Sequence, residues 1–268
     1  MSEPSQSDAV LVERRDAVMI ITINRPEARN AVNGDVHMGV GRAMEEADAD
    51  PSVWAVIITG SGDKAFCAGA DLKAASRGER FVPSNAKERD WGFAGYVTHH
   101  ISKPTIAAVN GFALGGGTEL LLASDLAVAS ENASFGLPEV KRGIFAGAGG
   151  AFRITAQVPQ KVAMEMLLTG DPITAQRALE LGLVNAVVPQ AQVMDAALAL
   201  AARITVNAPL SVQASKRVAR GMADGRVERE EPLWALSRSE GAALMQSEDA
   251  REGPKAFAEK RAPVWKAR

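Results

Sequence analysis

The amino-acid sequence predicts an α/β core followed by a helical C-terminal region. Nearly continuous apolar runs at residues 53–59 and 105–109 are typical of buried parallel strands, and helical patterns lie between them. From about residue 159, helical patterns follow one another with one brief β signal at 184–188. We therefore place three parts along the chain, a flexible tail at 1–8, the α/β core at 9–190 and the helical region at 191–268.

The first elements of the core are predicted to be a β-hairpin and a helix. Runs rich in β-branched residues at 9–13 and 18–23 flank the polar segment Arg14-Arg15-Asp16, which is typical of a turn. Asp35 is predicted to cap a helix that ends near residue 49, because apolar residues recur on one face of that segment.

A polar segment and further alternating elements follow. Residues 73–90 are rich in Lys, Arg, Glu and Ser, a composition typical of a mobile functional loop. The next patterns predict helices at 91–101 and 118–123 and a strand at 125–129. In the C-terminal region, periodic apolar residues predict helices at 161–168, 175–181, 194–206, 211–221 and 228–246.

The composition argues against several classes of protein. The chain has 268 residues and a net charge of −2, which does not suit a protein that grips nucleic acid or an anionic membrane. The single cysteine, Cys67, excludes an internal disulfide and a Cys-rich zinc site, and no histidine spacing matches a metal motif. Residues 1–8 do not resemble a secretory signal, and the longest uncharged stretch, 104–118, is too short and polar to span a bilayer. We expect a cytoplasmic protein that binds no metal and no nucleic acid.

The strongest local feature is a run of glycines, Gly115-Gly116-Gly117, directly before a predicted helix. Such a turn leaves backbone N–H groups unshielded at the positive end of a helix, where they suit a phosphate, a carboxylate or a developing oxyanion. Glu119 falls in the first turn of that helix. Its carboxylate is either a catalytic group or a residue that the helix dipole alone favours.

Two other segments carry small residues beside candidate functional groups. Residues 66–72 contain Ala68, Gly69 and Ala70, which let a backbone N–H approach a ligand closely, although a plain turn would have the same composition. Glu139 precedes the glycine-rich run at 147–150, which fits neither a P-loop nor a dinucleotide fingerprint. Cys67 has no partners marked by a motif, so a small buried residue is the favoured interpretation.

Together these features suit one reaction class. Two turns that donate amides can hold a thioester carbonyl while it takes up negative charge as an enolate. Two carboxyl groups, Glu119 and Glu139, can move protons and activate water beside the α and β carbons. If they share one proton, one acts as acid while the other acts as base.

The chain resembles the crotonase (enoyl-CoA hydratase/isomerase) superfamily over nearly its whole length. One matching segment would be weak evidence, whereas all of them in order are specific. The segments are residues 23–26, 29–31, 55–60, 66–72, 103–119, 135–139 and 147–150.

The resemblance implies a role for individual residues. Ala68 and Gly116 match the two positions whose N–H groups form the family's oxyanion hole. Glu119 and Glu139 match the paired acid and base of the hydratases, and many other members lack one or both. Segments that line the CoA site match Ala28, Ala31, Ala70, Asp71, Leu72, Gly115 and Pro138, and a C-terminal segment that meets CoA, often from a neighbouring subunit, matches Phe257 and Lys260.

The same resemblance implies a fold, an activity and an assembly. The fold would be a spiral of ββα units followed by a helical trimerisation region, assembled as a trimer or a dimer of trimers. The activity would be that of an enoyl-CoA hydratase, which adds water to a trans-2-enoyl-CoA. No cofactor is expected, since coenzyme A is part of the substrate.

Departures from the family pattern leave other reactions open. The usual Pro before the glycine-rich turn is Ala146, and a common Thr-Gln-Arg after it is replaced at 151–153 by Ala-Phe-Arg. Residues 71–75 and 247–266 resemble those of carnitinyl-CoA dehydratases. The alternatives are a carnitinyl-CoA-type dehydratase or an enoyl-CoA isomerase and, from another class, an RNA-binding or inactive scaffold homologue.

Residues 73–101 are expected to shape the acyl pocket. The aromatic residues of that segment are Trp91, Phe93 and Tyr96. They could line the pocket, but packing in the core is the favoured interpretation.

Overall fold

The structure, a computed structural model, describes residues 9–72, 74, 83 and 85–268. The predicted tail at 1–8 and most of the predicted loop at 73–90 lie outside the described residues. The strands are β1 (Val10–Arg15), β2 (Val18–Ile23), β3 (Ala55–Gly60), β4 (Ala65–Cys67), β5 (Thr105–Val109), β6 (Phe112–Leu114), β7 (Leu126–Ser130), β8 (Ser134–Gly136), β9 (Ile173–Thr174), β10 (Ala186–Val188), β11 (Met222–Ala223) and β12 (Arg226–Val227).

The bounds of the α-helices are also well defined in the described part of the chain. They are α1 (Gly34–Ala49), α2 (Ala86–Asp90), α3 (Gly116–Ala123), α4 (Gly150–Gln157), α5 (Gln160–Thr169), α6 (Ala175–Glu180), α7 (Val193–Thr205), α8 (Pro209–Arg220), α9 (Glu231–Leu244) and α10 (Glu248–Ala258). The predicted C-terminal helices correspond to α5 to α9, with ends that differ by a few residues.

The larger sheet has six strands in the order β1-β2-β3-β5-β7-β10. The β1–β2 hairpin is antiparallel, as predicted, and every later pair is parallel. Alternate residues of β2 and β3 pack against α1 on one face and against α7 on the other. Because both faces are covered, β3 is buried at each position, which explains its continuous apolar run.

A smaller sheet, in the order β4-β6-β8-β9, lies beside the first. Each of β3, β5 and β7 is followed within a few residues by a three-residue strand of this sheet, and β6 leads directly into α3. This repeated passage from a long strand to a short strand is the ββα spiral that the family resemblance predicts, and the fold prediction is confirmed. The short strands themselves escaped prediction because three residues show no periodicity.

Two local predictions are wrong. The predicted helix at 91–101 is a 3₁₀ turn at Phe93–Gly95, because Gly92, Ala94 and Gly95 have left-handed backbone angles. A side chain at Gly95 would collide with the backbone of α1, so the turn packs directly on that helix. The N-cap of α1 is Asn33, whose side chain accepts the N–H of Val36 at 3.1 Å, and not Asp35.

The last helix packs on the turn that carries Glu139. That turn is a 3₁₀ helix, Pro138–Arg142, and a Cβ at Gly253 of α10 would collide with the carbonyl of Arg142. The guanidinium of Arg142 lies 4.1 Å from the ring centre of Phe257. In the described part of the chain, no single helix is long and apolar enough to cross a membrane.

The side chain of Asn30 ties the end of β2 to the loop before β4. Asn30 is fully buried; its Oδ1 accepts the N–H of Arg25, and its Nδ2 donates to the carbonyls of Ser61 and Ala65 at 2.9 and 2.8 Å. Its φ of +54° is one that asparagine tolerates better than most residues. These bonds hold the two segments from which the site is built.

We expect Asn30→Ala to lower the free energy of unfolding by about 3 kcal/mol, because three hydrogen bonds are lost and buried partners remain unpaired. Urea unfolding of both proteins measures the difference. Asn132→Ala, at an exposed asparagine with a side-chain bond to Gln190, is the matched control and should cost under about 1 kcal/mol. Equal costs at the two positions would contradict the structural role given to Asn30.

Candidate active site

The first part of the site is the N-terminus of α3. Gly115 precedes the helix with φ +57°, and its N–H donates to the carbonyl of Gly136 at 2.9 Å. The N–H of Gly116 belongs to the first turn, where amides have no acceptor within the helix. A Cβ at Gly117 would collide with the carbonyl of Cys67, so this turn packs directly on β4.

The free N–H group beside this turn is that of Ala70 rather than that of Ala68, the predicted donor. The N–H of Ala68 donates to the carbonyl of Arg29 at 3.1 Å and is therefore not free for a ligand. Ala70 pairs with Val32 in a parallel bridge. The hydrogen bonds of this bridge are made by the backbone groups of residues 69 and 71, and not by those of Ala70 itself. Among the described residues, the N–H of Ala70 has no acceptor.

Gly69 brings the two turns together. It has φ +87°, and a Cβ at this position would lie 3.1 Å from the backbone nitrogen of Gly116. Ala70, the next residue, is exposed. The free amides of Ala70 and Gly116 thus belong to adjoining turns, which is the arrangement that an oxyanion hole requires.

Glu119 is the first carboxyl group of the site. It is 4% exposed, and its Oε1 accepts the N–H of Gly150 at 2.9 Å. The backbone N–H of Ala148 also favours the ionised form of this carboxyl group. A Cβ at Gly150 would lie 2.9 Å from Oε1, so only glycine lets the backbone approach this closely.

Glu139 is the second carboxyl group, in the 3₁₀ turn after β8. A Cβ at Gly115 would lie 3.1 Å from its Oε1, which places this carboxyl group against the glycine turn of α3. Its Oε2 is buried and has no hydrogen-bond partner among the described residues. A buried carboxyl oxygen without a partner is costly, and such costs concentrate at functional sites.

Burial raises the pKa of both glutamates. For Glu119 the second cause is the charge of Glu139, whereas the N–H donors of Gly150 and Ala148 oppose the rise. For Glu139 burial is the dominant cause. Two neighbouring carboxyl groups whose pKa values are both raised can share one proton.

The predicted CoA-lining residues of the first two segments lie side by side. The bond from Ala68 to Arg29 and the bridge between Ala70 and Val32 place residues 28–32, with half-buried Ala28 and buried Ala31, along residues 68–72. Leu72 is exposed, while the buried Asp71 pairs with Arg25 at 2.9 Å. Their contact with CoA stays a prediction.

The remaining predicted CoA residues lie near the second glutamate or on α10. Gly115 and Pro138 flank Glu139. Phe257 is 50% exposed beneath the Arg142 guanidinium, and Lys260 is exposed just after α10. Their role toward CoA also stays a prediction. Burial raises the pKa of Cys67 to about 12, in agreement with a small buried residue that is not a nucleophile.

A cavity of about 980 Å³ begins beside the turn at residues 147–150. Ala148, next to the Glu119 carboxyl group, lines it together with Phe93, and a Cβ at Gly116 would collide with the Phe93 ring. Trp91 also lines the cavity, although it is only 7% exposed. Tyr96 packs in the core, as predicted, with its hydroxyl 2.9 Å from that of Ser124.

Sequence reasoning missed two parts of the site. The glycine-rich run at 147–150 holds Glu119 through its amides, and the run itself was the available signal. Arg153 is buried and pairs with Glu230, 77 residues away, at 2.7 Å. No local pattern marks a pair at that separation.

The chain matches known proteins over almost all of its length. The family model described as "Enoyl-CoA hydratase/isomerase" matches residues 13–268. A protein of Salmonella typhi named carnitinyl-CoA dehydratase is 42% identical over 98% of this chain and 100% of its own length. The crystal structure of a carnitinyl-CoA hydratase from Mycobacterium avium is 66% identical, with a TM-score of 0.95 over 97% of this chain and 99% of that one. An enoyl-CoA hydratase from Mycobacterium tuberculosis H37Rv is 46% identical, with a TM-score of 0.75 over 98% and 100%.

The raised pKa values of Glu119 and Glu139 predict a pH-dependent cost in stability. A carboxyl group whose folded-state pKa lies above its unfolded value destabilises the fold as pH rises from about 4.5, the unfolded value, through the folded value. We therefore expect the double variant Glu119→Gln/Glu139→Gln to be more stable than the natural chain at pH 8.5, with a gap that narrows toward pH 5.

Urea unfolding at both pH values measures this gap. The matched control is Glu165→Gln at an exposed position of α5, for which the gap should not change with pH. A double variant that follows the control would show that the two carboxyl groups are not raised in the folded protein.

Proposed function

Because the chain belongs to the enoyl-CoA hydratase/isomerase family, we propose that it is an acyl-CoA hydro-lyase that adds water reversibly to a trans-2-enoyl-CoA, giving a 3-hydroxyacyl-CoA. The observation that carries this proposal is the pair of glutamates, the buried Glu119 and the half-buried Glu139 with its buried Oε2, beside the free amides of Ala70 and Gly116. Family members without this carboxyl pair serve other reactions, as the resemblance implies.

The free amides would stabilise the intermediate. The thioester oxygen accepts hydrogen bonds from the N–H groups of Ala70 and Gly116. These hydrogen bonds become stronger as addition at C3 places negative charge on that oxygen. Donors of this kind, fixed before the reaction, typically contribute a factor of about 10² to 10³ each to the rate. Gly116 as predicted, and Ala70 in place of Ala68, form this proposed oxyanion hole.

The two glutamates would move the protons. The backbone N–H of Gly150 donates to Glu119, which favours its carboxylate form, so we assign Glu119 as the group that takes a proton from the attacking water. The Oε2 of Glu139 has no donor, so the shared proton resides there and is delivered to C2. Both carboxyl groups act from one side of the substrate, which gives syn addition.

The acyl chain would extend into the cavity that begins at Ala148 and Phe93. At about 980 Å³ the cavity has room for a chain much longer than crotonyl. The CoA portion would lie along Ala28, Ala31 and residues 70–72.

Carnitinyl-CoA dehydration is the second candidate, and two observations favour different acyl groups. The names of the relatives at 42% and 66% identity favour a substrate that carries a trimethylammonium group. The face of Trp234, an aromatic ring in the cavity wall, is already covered by the guanidinium of Arg153 at 5.3 Å. A second cation beside this one is unfavourable, which favours an uncharged chain.

We also propose that the chain assembles with copies of itself, as the resemblance implies. An apolar groove between α4 and α9 supports this proposal, because Leu233 and Leu236 there are 40% and 57% exposed. The proposed assembly is a trimer or a dimer of trimers.

Loss of enone absorbance with crotonyl-CoA, longer 2-enoyl-CoAs and crotonobetainyl-CoA tests the proposal. We expect hydration of the uncharged chains by the natural protein and a loss of at least about 10³-fold in kcat for Glu119→Gln and Glu139→Gln, with CoA binding retained. Turnover of crotonobetainyl-CoA alone would favour the second candidate, and full activity of either variant would contradict the assigned roles.

Exchange of the C2 proton of butyryl-CoA with deuterated solvent separates the two glutamates. Only the group at C2 is needed for this exchange, so Glu139→Gln should abolish it and Glu119→Gln should retain it. The reverse pattern would exchange the two assignments.

Replacement of a single amide by an ester tests the oxyanion hole, since an ester has no N–H. At Ala70 we expect kcat to fall about 10²-fold or more with the unfolding free energy little changed. At Ala68, the matched control, the bond to Arg29 is lost, so the ester should lower stability and leave kcat near the natural value. A fall in kcat at Ala68 alone would restore the original prediction.

A further inference from the structure

The turn at residues 147–150, which binds Glu119, packs against a buried cluster around Arg153. Arg153 lies on α4, and its own N–H donates to the carbonyl of Gly149 at 2.9 Å. A Cβ at Gly149 would lie 3.4 Å from Cδ of Arg153 and 3.0 Å from the ring of Trp234. The turn is therefore enclosed by Glu119 on one side and by Arg153 and Trp234 on the other.

The guanidinium of Arg153 is fixed by residues of the helical C-terminal region. It is 3% exposed, bonds both carboxyl oxygens of Glu230, and lies 5.3 Å from the ring centre of Trp234. Two of its nitrogens take part in these bonds, while Nη1 is buried with no partner in the described part of the chain. A buried guanidinium with an unused donor is costly, so a purely structural role does not account for it.

The charges near Glu119 come from several elements. Glu139 opposes the ionisation of Glu119, and Arg153 favours it. Cys67 on β4 is neutral, and His100 beside Arg153 is also neutral near pH 7, because burial and then the charge of Arg153 lower its pKa to about 4.

We propose that Arg153 is a positioning residue, which fixes the amide turn that binds Glu119 and whose positive charge favours the ionised form of this carboxyl group. Glu230 opposes this effect. The negative charge of Glu230 binds the guanidinium of Arg153 and reduces the effect of Arg153 on Glu119. The residues from the C-terminal region thereby take part in the chemistry without touching the substrate. This inference rests on the proposed hydration reaction, in which Glu119 acts as the base.

The two partners of the pair predict opposite effects on the pH profile of kcat. The acid limb of that profile reports the ionisation of the base in the enzyme–substrate complex. Arg153→Met removes the positive charge and should move the acid limb to higher pH by roughly one unit. Glu230→Gln leaves the guanidinium unopposed and should move the limb down, and Arg153→Lys, which keeps the charge, should restore most of the natural position.

A structural role alone would not separate the variants in this way. If both single variants lose rate while the acid limb stays in place, or if both move it in the same direction, the proposal is overturned. Arg153→Met leaves Glu230 buried and unpaired, so the double variant Arg153→Met/Glu230→Gln serves where the single one does not fold. Its limb should lie between those of Glu230→Gln and Arg153→Met.

A second readout separates this proposal from the proposed function. The titration of Glu119 is followed by infrared difference spectroscopy of protein with ¹³C-labelled glutamate, with Glu119→Gln subtracted. We expect the same opposite shifts in this titration. If they occur in a protein that hydrates none of the enoyl-CoAs, the role of Arg153 stands and the proposed function fails; if they are absent, the role of Arg153 fails whatever the activity.

Discussion

The hydrogen bond from the backbone N–H of Gly150 to the carboxyl group of Glu119 is the contact on which the rest of the site depends. It joins α3, which begins at the glycine turn, to α4, which carries Arg153. Close approach is possible because neither Gly149 nor Gly150 has a side chain, and the space is filled by Arg153, Trp234 and the carboxyl group itself. The geometry of one buried carboxyl group thus depends on residues drawn from both halves of the chain.

Much of the fold could be predicted from the sequence, because the long strands of the larger sheet are nearly continuous apolar runs and the C-terminal helices carry strong apolar periodicity. The three-residue strands of the second sheet could not, and the predicted helix at 91–101 failed because Gly92 and Gly95 adopt left-handed angles that apolar spacing does not reveal. In the site, the structure brings together Gly116, Glu119 and Glu139, which the sequence marked as candidates. The free N–H belongs to Ala70 and not to the predicted Ala68, because the direction of an N–H in an extended segment depends on its pairing partner, here Val32.

The site concentrates electrostatic cost in a small volume. The carboxyl group of Glu119 and the Arg153–Glu230 ion pair are buried there, and Glu139 and Arg153 each keep one buried polar atom without a partner among the described residues. The large apolar clusters on both faces of the main sheet supply the stability that offsets this cost. A site of this kind is rigid because it is surrounded by packed elements, and that rigidity keeps the amides and carboxyl groups oriented before the substrate arrives.

The packing of α10 on the turn that carries Glu139 has a consequence for how the protein matures during synthesis. Domains form largely from the N-terminus onward as the chain is made, so the sheets can assemble while the last helices are still unmade. The segment 261–268 folds back along α10, where the carbonyl of Arg268 accepts the N–H of Glu248 and the backbone of Lys266 and Ala267 bonds Asp249. The turn of Glu139 gains this support only after residues 248–268 have emerged from the ribosome, so a nascent chain with complete sheets still lacks part of the support of the candidate site.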